Sequence, residues 1–229
     1  MSAAGLPPGF FKFLAELAKN NNRDWFQKNK GRFEGDVQGP ALGLVEAIGD
    51  RMPAVSRHIV VEAKKAGGSL LRIYRDVRFS KDKSPYQTYI AAQFRHAKGK
   101  GISAPGFYVH LSPADSFLGV GIWQPEPPHL LKIRKAIESK TDAWLKARDD
   151  KGFRAAFAEL AGESLKRPPV GFQPEHPCVE DLKRKDYVAF RKFSASEASR
   201  PGFPDWMIDS YRASTPFMRF LCSALEFPF

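Results

Sequence analysis

Apolar residues recur at helical spacing in the N-terminal part of the chain. The first set follows the i, i+3, i+4, i+7 pattern of an amphipathic helix: Phe10, Phe13, Leu14 and Leu17. Asn22 is placed to cap a second helix, and Pro40 is placed to open a third. The apolar face of the second helix would consist of Trp25, Phe26, Phe33 and Val37.

Strand patterns, with apolar and polar residues alternating over residues 71–79, replace the helical spacing in the middle of the chain. They predict strands over residues 59–62, 71–79, 89–96, 106–111 and 117–123. In residues 71–79 the apolar face would consist of Leu71, Ile73, Val77 and Phe79. Because the connections between these segments are short, they favour an antiparallel meander of about four to five strands over parallel crossovers.

Helical patterns return after Pro127-Pro128, which opens a predicted helix that extends toward Trp144. Further helices are predicted over residues 153–160, 179–190 and 205–225, the last broken at Pro216, and residues 167–177 read as a loop. We therefore expect an α+β fold, with a central antiparallel sheet flanked by N-terminal and C-terminal helices. Residues 1–229 are expected to form a single domain.

Composition places the chain among globular proteins. Of its 229 residues, 43% are hydrophobic and 27% are charged, which argues against disorder. The two cysteines, Cys178 and Cys222, show no metal-ligand or redox-motif spacing and fit a reducing compartment. The N-terminus lacks a basic n-region, and no apolar run approaches the roughly 20 residues of a spanning helix. We expect a cytoplasmic protein that does not associate with membranes.

Positive charge is concentrated in two stretches of this basic chain, whose formal net charge is +11. Residues 72–100 contain eight basic and two acidic residues, and residues 166–192 contain seven basic and four acidic residues. Such an excess favours anionic small molecules or nucleic acid as partners.

Residues 72–86, called the basic segment below, hold the densest group of chemically active side chains. On a strand, Arg72, Tyr74, Asp76 and Arg78 would project from one face at intervals of roughly 7 Å. Guanidinium forks bind phosphate or carboxylate in a bidentate manner, and a polar loop with two ammonium groups follows. The predicted ligand-binding residues are Arg72, Arg75, Arg78, Lys81, Lys83, Tyr86, Lys166 and Arg167. The simpler alternative is a lattice of ion pairs on a solvated sheet face.

Arg75 distinguishes this segment from an ordinary charged strand. The alternation puts it on the apolar side, between Ile73 and Val77. A buried arginine must be paired, or the strand must bulge at that point.

His110 is the strongest acid/base candidate among the histidines, because its predicted strand belongs to the same sheet as the basic segment. The predicted proton carriers are Tyr74, Asp76 and His110. Gly119 and Gly121 share one face of the returning strand, where glycine often marks the close approach of a ligand, a backbone or a large side chain. A structural role for His110 remains the alternative. No motif for a metal, nucleotide or other cofactor is present, so none is expected.

Four segments of the chain resemble landmarks of an uncharacterised family, the domain of unknown function 2461. They are residues 20–26 (NNNRDWF), 72–86 (RIYRDVRFSKDKSPY), 106–108 (GFY) and 165–168 (LKRP). The resemblance extends over nearly the full chain and implies one full-length domain. It implies no activity, substrate or catalytic residue.

Three functions are consistent with these observations. The first is binding, with or without turnover, of a phosphorylated or otherwise anionic ligand at the basic segment, with help from Lys166 and Arg167. The second is nucleic-acid binding through the same surface. The third is recognition of an acidic protein partner, which would require an exposed apolar patch beside the basic one.

Overall fold

The computed structural model describes residues 5–99 and 103–229 of the chain. Lys100, the last residue of the first basic stretch, and the first four residues of the N-terminus lie outside the described residues. Within the described part, no helix is long and apolar enough to cross a membrane.

The sheet is fully antiparallel, and in the described part of the chain it has six strands: β1 (Ile59–Val60), β2 (Ile90–His96), β3 (Gly106–Leu111), β4 (Ser116–Ile122), β5 (Leu160–Ala161) and β6 (Tyr187–Phe193). Their order across the sheet is β1-β2-β3-β4-β6-β5. Strands β2, β3 and β4 form the predicted meander, and β3 has the predicted bounds. The α+β class is confirmed.

Helices precede and follow the meander, as predicted. Before it come α1 (Pro8–Lys19), α2 (Arg23–Lys28), α3 (Lys30–Arg32), a π-helical stretch (Phe33–Gln38), α4 (Gly39–Arg51) and a 3-10 turn (Met52–Ala54). After it come α5 (Pro127–Ser139), α6 (Thr141–Arg148), α7 (Lys151–Phe157), α8 (Val179–Leu182), α9 (Ala195–Ala198), α10 (Phe203–Ala213) and α11 (Thr215–Ala224). The side chain of Asn22 caps α2 by accepting the Trp25 N–H at 2.9 Å.

The predicted strand over residues 71–79 is wrong. In its place are two isolated bridges, one from Leu70, just before the stretch, to Ala92 and one from Tyr74 to Tyr86, and between them the pairing register slips by two residues. Side-chain bonds within residues 76–84 compete with a regular ladder, as short polar side chains do in turns. In consequence Phe79, expected on an apolar face, is 95% exposed.

The predicted helix over residues 179–190 is also wrong beyond its first turn. Only Val179–Leu182 is helical, and Tyr187–Phe193 forms β6 between β4 and β5. Tyr187, Val188 and Ala189 are all buried, so this strand lacks the alternation by which a half-exposed strand is recognised.

Two smaller predictions also fail at helix ends. The predicted helix over residues 153–160 ends at Phe157, and Leu160 pairs with β6 in the short strand β5. The second predicted helix is interrupted after Lys28, so Phe33 lies in the π-helical stretch and not in α2.

The two faces of the sheet differ. On one face Phe94 and Phe107 are fully buried and contact Tyr211 of α10, whose hydroxyl donates to the Tyr108 carbonyl at 3.0 Å. On the other face the side chains form cross-strand rows. The central row runs from β2 to β6 through Gln93, Tyr108, Gly119 and Phe190. Its three side chains are only half-buried, so this second face, called the open face below, remains accessible to solvent.

Gly121 is fixed by the backbone of the neighbouring strand. Its φ is +114°, and a Cβ there would lie 2.0 Å from the Tyr187 carbonyl oxygen. At Gly119 the nearest atoms to a Cβ would be side-chain atoms of Phe190 and Tyr108 at 3.4 Å, which is ordinary contact.

We predict that Gly121→Ala lowers the free energy of unfolding by about 2 kcal/mol or more, because the new methyl group meets a backbone atom that cannot yield. Gly119→Ala, the matched control on the same strand, should change it by less than about 1 kcal/mol. Urea denaturation of both variants measures the difference. Equal effects of the two substitutions would contradict this account of the β4–β6 pairing.

Candidate functional site

The N-terminal helices hold the end of the basic segment through a polar clip. The Asn21 side-chain amide donates to the Tyr86 carbonyl at 2.9 Å, and its oxygen accepts the Tyr86 N–H at 3.1 Å. Asn21 therefore satisfies both backbone groups of Tyr86, as a neighbouring strand would. The Tyr86 ring stacks on Phe26 with the ring centroids 4.0 Å apart, and Tyr86 is 2% exposed.

The arginines of the basic segment are tied to its own aspartates. Arg75 pairs with Asp82, and Arg78 forms a fork on Asp76 with nitrogen–oxygen distances of 3.0 and 2.7 Å. The bond from Arg78 lowers the pKa of the Asp76 carboxyl. Asp82 also accepts the hydroxyl and the backbone N–H of Ser84, and these bonds, followed by the bond from Arg75, lower its pKa.

Arg75 has the pairing that its position in the alternation required. Its side chain is 22% exposed, against 75% for Arg78, and the carbonyl of Ser84 and the hydroxyl of Ser80 also lie within 3.4 Å of its guanidinium nitrogens. Arg75 thus holds the loop together.

The predicted proton carriers do not form one site. Tyr74 packs against the rings of Phe26 and Tyr86, and Asp76 is occupied by Arg78. His110 lies in β3 on the open face, so these three residues belong to separate environments.

The predicted cations are similarly divided. Arg72 and Lys81 are exposed, and the Lys83 ammonium donates to the Val77 carbonyl at 3.0 Å. Lys166 and Arg167 follow β5, at the sheet edge opposite the basic segment. Five strand spacings of about 4.8 Å separate β1 from β5, or about 24 Å. The expected convergence of Lys166 and Arg167 with the basic segment is therefore not found.

A hollow of about 640 Å³ opens where the N-terminal helices meet the basic segment, and it is called the cationic hollow below. One wall consists of Asn21, Asn22, Arg23 and Asp24, and the other of Val77, Lys83, Ser84 and Pro85. Arg23 and Lys83 bring positive charge to the two walls. Arg23 was not among the residues predicted from sequence, and the signal that could have found it was its place in the Asn-Arg-Asp motif at the start of α2.

His110 has an aromatic environment. Its ring is stacked on Phe117 at 4.9 Å between centroids and lies 4.2 Å from that of Tyr89. Burial lowers the pKa of His110 and raises that of the Tyr108 phenol to about 12, so both are neutral near pH 7. Their Nδ1 and hydroxyl oxygen are 3.3 Å apart.

Comparison with known proteins finds a matching family. The model of the conserved hypothetical protein family DUF2461 matches residues 9–220. The chain belongs to the DUF2461 family. Two of the segments that carry this resemblance, residues 20–26 and 72–86, are those that pack together around Asn21 and Tyr86. No curated protein and no solved structure matches the chain.

Metal-ligating residues are dispersed in the part of the chain that the structure describes. No group of three or more histidine, cysteine, aspartate or glutamate side chains there could hold a metal ion.

We predict that Asn21→Ala lowers the free energy of unfolding by about 1–3 kcal/mol, because it leaves the N–H and carbonyl of a buried tyrosine without partners. Asn20→Ala is the matched control, since the Asn20 amide bonds only the Glu16 carbonyl on the exposed side of α1. Urea denaturation compares the two variants. If Asn20→Ala costs as much as Asn21→Ala, the clip does not hold the basic segment.

Proposed function

We propose that this protein binds a phosphorylated or otherwise anionic small ligand in the cationic hollow. The observation that carries the proposal is that Arg23 of α2 and Lys83 of the basic segment line the same hollow, where the Lys83 ammonium donates to the Val77 carbonyl. The binding residues are then Lys83 and Arg23 at the start of α2, in place of the arginines of the basic segment.

The charge balance of the hollow supports this assignment. Asp76 and Asp82, the carboxylates of the basic segment, are already occupied by Arg78 and Arg75. A ligand therefore does not have to compete with them for Lys83. Asp24 is the carboxylate that lines the hollow, and its repulsion favours a position for the anion nearer to Lys83.

The donors available to an anion are suited to phosphate or carboxylate oxygens. Lys83 uses one of its three N–H groups on the Val77 carbonyl, which orients the ammonium and leaves two donors. Arg23 offers a planar fork. The Asn22 oxygen caps α2, so the amide nitrogen of the same side chain is left as a donor.

The geometry favours binding over turnover. The cationic hollow is open to solvent, whereas charged transition states are best stabilised in sites that exclude water. The nearest acid/base candidates, Tyr74 and Asp76, are committed to ring packing and to an ion pair. The cytoplasmic location is part of the proposal, supported by two buried cysteines that are not disulfide-bonded.

We predict that Arg23→Ala and Lys83→Ala each weaken the binding of pyrophosphate by about tenfold, since each removes a charge-assisted hydrogen bond. Isothermal titration calorimetry at low salt measures the affinity. Lys135→Ala, which removes an exposed positive charge from α5, is the control and should leave the affinity within about twofold. Equal losses in all three variants would mean that only net charge matters, and the hollow would not be the site.

Phe79 favours a second candidate, single-stranded nucleic acid. It is 95% exposed at the tip of the basic segment, and the Arg78 guanidinium carbon lies 5.8 Å from its ring centroid. Exposed aromatic rings beside cations serve as stacking platforms for bases.

If nucleic acid is the ligand, Phe79→Ala should weaken the binding of a labelled oligothymidylate by about tenfold and leave the binding of pyrophosphate unchanged. The logarithm of the binding constant should fall against log salt with a slope of roughly −0.7 per phosphate neutralised. Fluorescence anisotropy across a salt series measures both effects. If Phe79→Ala binds the oligonucleotide as tightly as the wild type does, nucleic acid is not the ligand and only the small-anion proposal is left.

A further inference from the structure

A second cavity lies on the open face of the sheet and has a different chemical character from the cationic hollow. Its volume is about 400 Å³, within the range of small-molecule sites. Gly119 forms its floor, and among the described residues none lines both cavities. It is called the aromatic groove below.

Four aromatic rings stand around this floor: Tyr108, Phe117, Phe190 and Trp123. Neighbouring rings are in contact, with centroid distances of 5.9 Å for Tyr108–Phe117, 5.1 Å for Phe117–Phe190 and 6.4 Å for Phe190–Trp123. An arc of aromatic rings over a floor without a side chain accommodates a flat ring, because aromatic faces and edges pack best against another aromatic group.

The fold does not require the glycine at the floor. Gly106 and Gly121 also line the groove, and a Cβ at either would lie 2.6 Å or less from a backbone oxygen of a neighbouring strand. Gly119 has no such neighbour, and its φ is outside the left-handed region. Glycine weakens the interior of a strand, so a glycine that the backbone does not require points to another role. The effect of Gly119 is to keep the groove open.

The rim of the groove exposes apolar surface that a ligand would cover. Trp123 is 44% exposed and Leu71 is 43% exposed. The backbone after Trp123 is strained, since Gln124 has a φ of +44°. The Gln124 N–H donates a hydrogen bond to the buried Asp186 carboxylate at 2.7 Å. That bond holds the end of β4, and with it the tryptophan wall.

The polar end of the groove is at β2. Gln93 lines both the groove and a smaller adjoining hollow, and Arg95 lines that second hollow. Within the described ranges the Gln93 amide makes no side-chain hydrogen bond, whereas the Tyr108 hydroxyl is already beside His110. Glu62 also borders the smaller hollow, and its carboxylate is paired with Lys64 at 3.0 Å. A ligand that extends past Gln93 therefore meets the positive charge of Arg95.

We infer that the aromatic groove binds a planar aromatic molecule with one anionic group. In this arrangement the aromatic ring system of the ligand lies on Gly119 between Tyr108 and Phe190, and the anionic group of the ligand points past Gln93 toward Arg95. This site is independent of the anion site proposed at Arg23 and Lys83, because a small inorganic anion gains nothing from aromatic walls.

The test uses 2-naphthoate as the probe and NMR titration of the 229-residue chain as the measurement. We expect saturable shifts of the Gly119 and Gly121 amides. We also expect at least tenfold weaker binding of cyclohexanecarboxylate, which has the same charge but no flat ring. Absence of saturable binding, or equal affinity for the two carboxylates, would overturn the inference.

Variants separate the aromatic groove from the cationic hollow. Gly119→Val fills the floor and should weaken the binding of 2-naphthoate at least tenfold. Trp123→Ala removes an exposed wall and should do the same if Gly119→Val does not fold.

Arg95→Gln should weaken the binding of 2-naphthoate several-fold and leave neutral 2-naphthol unaffected. The double variant Arg23→Ala/Lys83→Ala should bind 2-naphthoate like the wild type. Unchanged affinity in folded Gly119→Val, or loss in the double variant, would place the probe elsewhere.

Discussion

The contact between Asn21, Phe26 and Tyr86 determines what the basic segment can do. Two hydrogen bonds and one ring stack attach the end of residues 72–86 to the N-terminal helices, with Tyr86 almost fully buried. Fixing one end of a charged loop lowers the entropy that a ligand would otherwise have to remove.

The charged side chains of the basic segment form two groups, those that pair with one another within the loop and those that line the cationic hollow. Within the loop, Arg75 pairs with Asp82 and Arg78 pairs with Asp76. The Arg78–Asp76 pair is largely solvated, so its contribution to stability is small, whereas the Arg75 side chain is only 22% exposed. Both pairs occupy the loop's own carboxylates. Lys83 lines the cationic hollow together with Arg23. The arginines that dominate the sequence pattern thus support the site, and a lysine and an α2 residue line it.

The unequal faces of the sheet give the molecule a second kind of surface. Helices bury one face, and on the other a glycine without a steric role leaves a groove among four aromatic rings. The two cavities differ in character, since one presents cations around an open hollow and the other presents rings around a narrow apolar floor.

Local patterns were sufficient to predict much of this fold. Helical spacing located α1, and the Asn22 cap located the start of α2, because both depend on residues close in sequence. Strand patterns located β2, β3 and β4, and the alternation in residues 71–79 singled out Arg75 as a residue that needed a partner. It failed for β6, whose Tyr187, Val188 and Ala189 are all buried, and for residues 71–79, where turn-forming side chains override the pattern. The cationic hollow could not be predicted, because Asn21 and Tyr86 are 65 residues apart and only tertiary packing brings them together.

The most direct test of the central claim is an NMR titration of the protein with pyrophosphate, with backbone amides assigned. We predict that the amide shifts of Arg23 and Asp24 change together with those of Lys83 and Ser84, along one saturation curve. Shifts confined to residues 72–78, or centred on Lys166 and Arg167, would contradict the proposed site. The anion would then bind at those basic residues and not between the start of α2 and the residues around Lys83.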